Sequence, residues 1–150
     1  MADNFNAQLE AACEHISQQI TTGMRSRGMR AANELRNASQ LVLRGQRGGR
    51  IYRVPGTKSY YTASAPGEPP AVRTGSFRSG WQAKQEVTGS ADNTKIRSYI
   101  ESNTRTDNGR YLLGAILEDG TSRMAPRPYQ QKIQEKALPN IKKIYKEPYM

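Results

Sequence analysis

Apolar or small residues recur at Phe5, Leu9, Cys13, Ile16, Ile20, Met24, Gly28, Ala31, Leu35, Ala38 and Val42, in steps of three or four. That spacing is one face of an amphipathic helix. Asp3 or Asn4 is placed to cap its start, and Gly45 to end it. Such a helix is roughly 60 Å long at its usual rise per residue, more than a chain of 150 residues covers as a globule. The pattern therefore predicts either a break near residues 23–28 or a helix that projects and packs on another chain. For the covered part, ordinary core is the default role of such a stripe.

A basic, glycine-rich link follows at residues 45–50. Residues 50–54, Pro55-Gly56 and residues 59–62 then read as a hairpin, because proline followed by glycine suits a type II turn. Residues 65–70, Ala-Pro-Gly-Glu-Pro-Pro, form a rigid loop with φ set at three prolines. Trp81, Ala83, Gln85 and Val87 alternate with polar neighbours, as do Ile96, Ser98 and Ile100. A turn over residues 89–93 joins them, and period two with one wetter face predicts an antiparallel pair. Residues 111–117 are a short apolar segment, helix or strand, stopped by Glu118-Asp119-Gly120-Thr121. Tyr129, Ile133, Ala137, Ile141 and Ile144 step by about four and predict a last helix. Pro128 suits its N-terminus, and Pro139 is expected to kink or divide it.

The order is helix, hairpin, sheet, helix. The fold class is α+β: a long N-terminal helix, a small antiparallel sheet with a hairpin, and a C-terminal helix. One domain spans 1–150, with a helical arm at 1–44, sheet and loops at 45–128, and the C-terminal helix at 129–150.

Composition sharpens this. Leu, Ile, Val and Phe make up 23 of 150 residues. So little apolar content signals either disorder or a protomer that completes its core against neighbours. The clear periodicity favours the oligomer. No run of eighteen apolar residues exists, so no transmembrane helix is expected. The polar, acidic first ten residues lack the pattern of a signal peptide. A cytoplasmic chain without membrane contact is expected.

Candidate chemistry is sparse. The single cysteine, Cys13, lies on the apolar stripe, where a buried, inert thiol is the default. His15 is alone and reads as a surface histidine. Glu10 and Glu14 hydrate a helical face, and Glu118-Asp119 precedes a Gly-Thr turn. Residues 45–50 lack the Lys-Ser/Thr ending of a phosphate loop. No catalytic residues, no metal and no cofactor are expected, and the chain does not read as an enzyme.

Charge is uneven. The net charge is +10, yet residues 1–24 hold three acids and no base. Residues 25–53 hold eight arginines, Arg44, Arg47, Arg50 and Arg53 among them, against the single acid Glu34. Arginine offers bidentate contact to phosphate or carboxylate. A nucleic-acid surface, a docking surface for an acidic protein ring and a plain solvated face all fit this cluster.

Two blocks carry a family resemblance. One is Ser64-Ala-Pro-Gly-Glu-Pro-Pro-Ala-Val-Arg-Thr-Gly-Ser-Phe-Arg-Ser79. The other is residues 111–118 followed by Gly120-Thr-Ser-Arg-Met-Ala-Pro-Arg-Pro-Tyr129. In this order they resemble the neck, or head–tail joining, proteins of tailed bacteriophages, over about residues 50 to 135. Phe77 replaces a commoner leucine, and Asp119 a common aromatic. Glu118 and Arg127 match charged positions of the family, as a local ion pair or an intersubunit contact.

The resemblance implies a structural virion protein in the neck, assembled in the host cytoplasm. It implies a ring of identical subunits, a hexamer with a dodecamer as the alternative. Its neighbours would be a connector or head-completion ring and tail-terminator or tail-tube proteins, with genomic DNA passing through the channel. Interface candidates are Ile16 and Ile20 on the stripe, the four arginines 44, 47, 50 and 53, the loop Pro66, Gly67, Glu68 and Pro69, and Glu118, Arg127 and Pro128. A small basic nucleic-acid-binding protein is the alternative.

Overall fold

The computed structural model describes residues 1–90 and 93–149. Helix α1 (Ala2–Arg44) is followed by strands β1 (Ile51–Arg53) and β2 (Tyr60–Thr62) and the short helix α2 (Ser76–Ser79). Strands β3 (Trp81–Thr88) and β4 (Lys95–Ser102) come next, then helices α3 (Leu113–Asp119) and α4 (Gln130–Lys146). The class is α+β. The strands form two separate antiparallel pairs, β1 with β2 and β3 with β4. Part of the turn expected at residues 89–93 lies outside the described residues.

Helix α1 does not break near Gly23 or Gly28; it is one helix of 43 residues. Neither Asp3 nor Asn4 caps it. Met1 stands at the cap position without a side-chain hydrogen bond, and both polar residues fall inside the first turn. Gly45 ends the helix as expected, with φ −57° and ψ 161° rather than a left-handed conformation. The chain thus leaves the helix extended, toward β1.

The stripe on α1 divides into two halves. From residue 27 onward it is covered: Gly28, Ala31, Ala32, Ala38 and Leu43 are buried. There the helix packs against β3, β4 and α4. Small residues allow that approach. A Cβ on Gly28 would stand 2.4 Å from Ser98 Oγ and 2.8 Å from Gln85 Nε2. Gln85 Nε2 in turn donates to the Arg25 carbonyl at 2.8 Å and lies 3.1 Å from Ser98 Oγ, tying sheet to helix.

The core is Ala38, Leu43, Trp81, Tyr129, Ile133 and Ala137, with Leu35, Phe77, Ile100, Leu117 and Ile141 packed around it. Phe77, Trp81 and Tyr129 meet edge to face, with centroids 5.4 to 5.8 Å apart, the geometry that aromatic quadrupoles favour. β3 and β4 pair from Trp81 opposite Ser102 to Thr88 opposite Lys95. This register turns Trp81, Ala83 and Gln85 toward α1 and leaves Gln82, Lys84 and Glu86 exposed. A Lys84–Glu101 ion pair lies across the exposed side.

In the hairpin, Thr57 N donates to Val54 O at 3.1 Å and Gly56 has φ +74°, the type II turn that Pro55-Gly56 predicts. The ambiguous segment after residue 110 is helical, and α3 runs through Glu118 and Asp119 to stop at Gly120, φ +75°. α4 runs from Gln130 to Lys146 with Pro139 inside it, so the proline does not divide the helix. Its missing donor removes one intrahelical bond, while packing of Ile133 and Ala137 holds the helix on α1.

Candidate functional site

Three features stand out on this frame: the exposed first half of α1, the arginines after residue 24, and a groove beside α2 and α3.

The first half of α1 continues the apolar stripe with large side chains left exposed, the β3–β4 end reaching it at Thr94, beside Cys13, Ile16 and Ile20. Phe5 is 65% exposed, Leu9 53%, Ile16 46% and Ile20 37%. Ala32 and Leu43, further along the same helix, are 0% and 2% exposed. Cys13 is exposed rather than buried, because the part of the stripe that holds it lies beyond the core.

Most of the arginine cluster is occupied within its own chain. Arg27 Nη2 donates to the Glu147 carbonyl, and its guanidinium lies 3.7 Å from the centroid of the Tyr149 ring. Arg30 pairs with the Glu147 carboxylate. Arg36 Nε donates to Trp81 O at 3.2 Å. Arg53 Nε donates to Thr57 O at 2.7 Å, inside the hairpin.

Arg47 is the most engaged of these. It donates from Nε and Nη2 to Pro70 O at 3.2 and 3.1 Å, from Nη2 to Val42 O at 2.8 Å, and from Nη1 to Gln46 O at 3.0 Å. Its pKa is lowered by burial, which the nearby charge of Glu68 opposes. Arg44 and Arg50 remain exposed. The patch offered to an outside anion is therefore narrower than the sequence suggests.

The proline loop is built into the body. Glu68 Oε2 accepts Gly48 N at 3.0 Å and Ala65 N at 2.8 Å. These two bonds hold the Glu68 carboxyl below the usual carboxylate range. Pro69 and Pro70 are buried, while Pro66 and Gly67 are exposed, Gly67 at φ +82°. Arg47 and Glu68 together fasten the end of α1, the glycine-rich link and the loop.

Glu118 and Arg127 do not pair. Glu118 Oε2 accepts Tyr129 N at 2.9 Å and Gln130 N at 3.3 Å, which makes it the cap of α4. Arg127 N donates to Leu117 O at 2.7 Å. Its Nη1 is buried without a hydrogen-bond partner among the described residues, a cost of about 1–3 kcal/mol for such a donor. Pro128 is half-buried just before the cap residue.

The groove is the feature that sequence reading did not find. It has a volume of about 500 Å³ and lies between the hairpin, the loop at residues 70–76, α2 and α3. Leu43, Phe77 and Leu117 give it an apolar floor; Arg73, Arg78, Arg105 and Arg127 line it, with Asp107 as its acid. Arg73 pairs with Asp107 at 3.3 Å. Its residues come from six separate chain segments, so no local pattern announces it.

Among the described residues no cluster of His, Cys, Asp and Glu is arranged to hold a metal ion, and no helix is long and apolar enough to cross a membrane. No protein family, curated protein or solved structure is matched by this chain.

Proposed function

We propose that this chain is a structural subunit of a phage neck, forming a ring of identical copies that joins the DNA-filled head to the tail. One observation carries the reading: the apolar stripe of α1 continues, exposed, through Phe5, Leu9, Ile16 and Ile20, N-terminal to its buried part. Fully burying a side chain of this size contributes about 1.5–3 kcal/mol. Several such contributions stay unrealised in an isolated protomer and become available in an assembly. The resemblance of residues 64–79 and 111–129 to head–tail joining proteins supplies the kind of assembly.

The role needs no catalytic centre, and the neighbours it requires are a head-side ring and a tail-side ring. Of the interface candidates, Ile16, Ile20, Arg44, Arg50, Pro66 and Gly67 are exposed and serve that role directly. Arg47, Glu68, Glu118 and Pro69 shape the surfaces from within.

The test uses Ile16→Asp and Ile20→Asp in phage particles. Both positions are exposed, so the protomer keeps its fold, while a buried unpaired charge at a subunit contact blocks ring closure. Electron microscopy should show heads and tails that fail to join. Normal numbers of joined particles from both variants would rule the role out. Tight, steeply salt-dependent binding of duplex DNA by a lasting monomer would favour the nucleic-acid alternative.

A further inference from the structure

We propose that the arginine-lined groove between the hairpin, α2 and α3 is a docking site for an acidic segment of a partner protein, one that sets a large apolar side chain between carboxylates. The inference goes beyond the ring reading and stands without it, because the groove shares no residue with the exposed half of the α1 stripe.

The groove holds charge that its own chain does not neutralise. Arg73, Arg78, Arg105 and Arg127 line it, against the single carboxylate of Asp107. Asp107, whose side chain is 91% exposed, pairs with Arg73. Among the described residues, Arg78, Arg105 and Arg127 have no carboxylate partner. Arginines elsewhere are engaged by their own chain: Arg30 by Glu147, Arg36 and Arg47 by backbone carbonyls. Arg127 is half-buried, and its Nη1 has no acceptor among the described residues. In so partly desolvated a setting a carboxylate is attracted more strongly than in open water, and arginine meets it through two parallel bonds.

Apolar surface lies open beside that charge. Phe77 and Leu117 are half-buried on the floor, and Val72 is 36% exposed. This pairing selects a peptide. A nucleic-acid backbone brings anions but no apolar side chain to cover the floor, and Asp107 repels phosphate. A segment with Phe, Leu or Trp between acids supplies both halves of the match.

The walls are fixed before anything binds. Phe77 is held edge to face by Trp81 and Tyr129, with centroids at 5.7 and 5.4 Å. Leu113 N donates to Thr104 O at 2.9 Å, and Arg105 bridges to Leu112. Arg47 fastens Pro70 O at the other side. A formed site loses little freedom on binding, and about 500 Å³ suits a segment of a few residues rather than a folded domain.

The test is fluorescence anisotropy of the full chain with fluorescein-labelled peptides Glu-Glu-X-Glu-Glu, where X is Phe, Leu or Trp. At least one should bind with a Kd of about 100 µM or tighter at low salt. Raising salt to about 500 mM should weaken it about fivefold. The peptide with Ser at X, and the variant Arg78→Glu with Arg105→Glu, should each bind about tenfold more weakly or worse. Circular dichroism checks that the variant folds; if it does not, Arg105→Glu alone, at an exposed position, replaces it. No binding by any of the three peptides near about 1 mM overturns the proposal. So does equal binding of the Ser peptide, which reduces the groove to a general anion attractor, or equal binding by the variant. Duplex DNA that displaces the peptide assigns the arginines to phosphate, and wild-type self-association that the groove variant alone abolishes assigns the groove to a second copy; either overturns the proposal. None of these results bears on the neck reading, which the Ile16 and Ile20 variants test.

Discussion

The carboxylate of Glu118, at the end of one helix, accepts the backbone N–H of Tyr129, at the start of another, at 2.9 Å. A single charged acceptor thus serves the otherwise unpaired donors that open α4 and places Tyr129 in the core. Glu118→Ala should lower stability by about 1–2 kcal/mol. Glu118→Gln, which keeps an acceptor, should lose less. Urea denaturation measures both, and equal losses would remove the capping role.

Tyr129 donates its phenol O–H to Gly114 O at 3.0 Å, and burial pushes its pKa up to about 12. The folded pKa lies above the ordinary tyrosine value of roughly 10. The stability due to the neutral phenol is therefore complete below about pH 10 and is lost as pH rises toward about 12. Tyr129→Phe should cost about 1 kcal/mol at neutral pH and flatten the alkaline limb of the unfolding curve.

Glu68 gives the opposite sign. Its carboxyl is held below the usual range by the Gly48 and Ala65 N–H groups. The contribution is present above the unfolded carboxyl pKa and is lost as pH falls through the lower, folded one. Acid unfolding of Glu68→Gln should depend less on pH below the ordinary carboxyl pKa of about 4. An unchanged acid limb would place the linkage elsewhere.

Gly49 faces the hairpin backbone: a Cβ there would lie 2.4 Å from Ala63 O, to which Gly49 N already donates at 2.9 Å. The hairpin must shift to admit a methyl group. Gly49→Ala should therefore destabilise by about 1–3 kcal/mol, read as a lower thermal midpoint. Gly67, with nothing within 4 Å of its Cβ position, owes its requirement to φ +82° alone.

Arg47→Ala removes the donors shared by Pro70 O and Val42 O. A loss of about 2 kcal/mol is expected, since bonds to charged donors are the stronger ones. Arg50→Ala, at an exposed position, should stay within about 0.5 kcal/mol. The contrast separates a structural arginine from a surface one, and chemical denaturation of the two variants reads it.

The local pattern determined the elements of this protein. A stripe in steps of three and four is a helix wherever it occurs, so α1 and α4 were legible, as were the alternating strands and the Pro55-Gly56 turn. These depend on backbone geometry and neighbours close in sequence. Partners distant in sequence were not legible. Arg47 could have served an outside anion, and only the approach of Pro70 turned it inward. Glu118 and Arg127 could have paired, and the position of Tyr129 N made Glu118 a cap instead. Cys13 and Leu43 lie on one helix, yet one is exposed and the other buried, because the core that Trp81 and Tyr129 build packs on its second half. The groove arises where the hairpin, α2 and α3 converge, which is decided by packing in three dimensions.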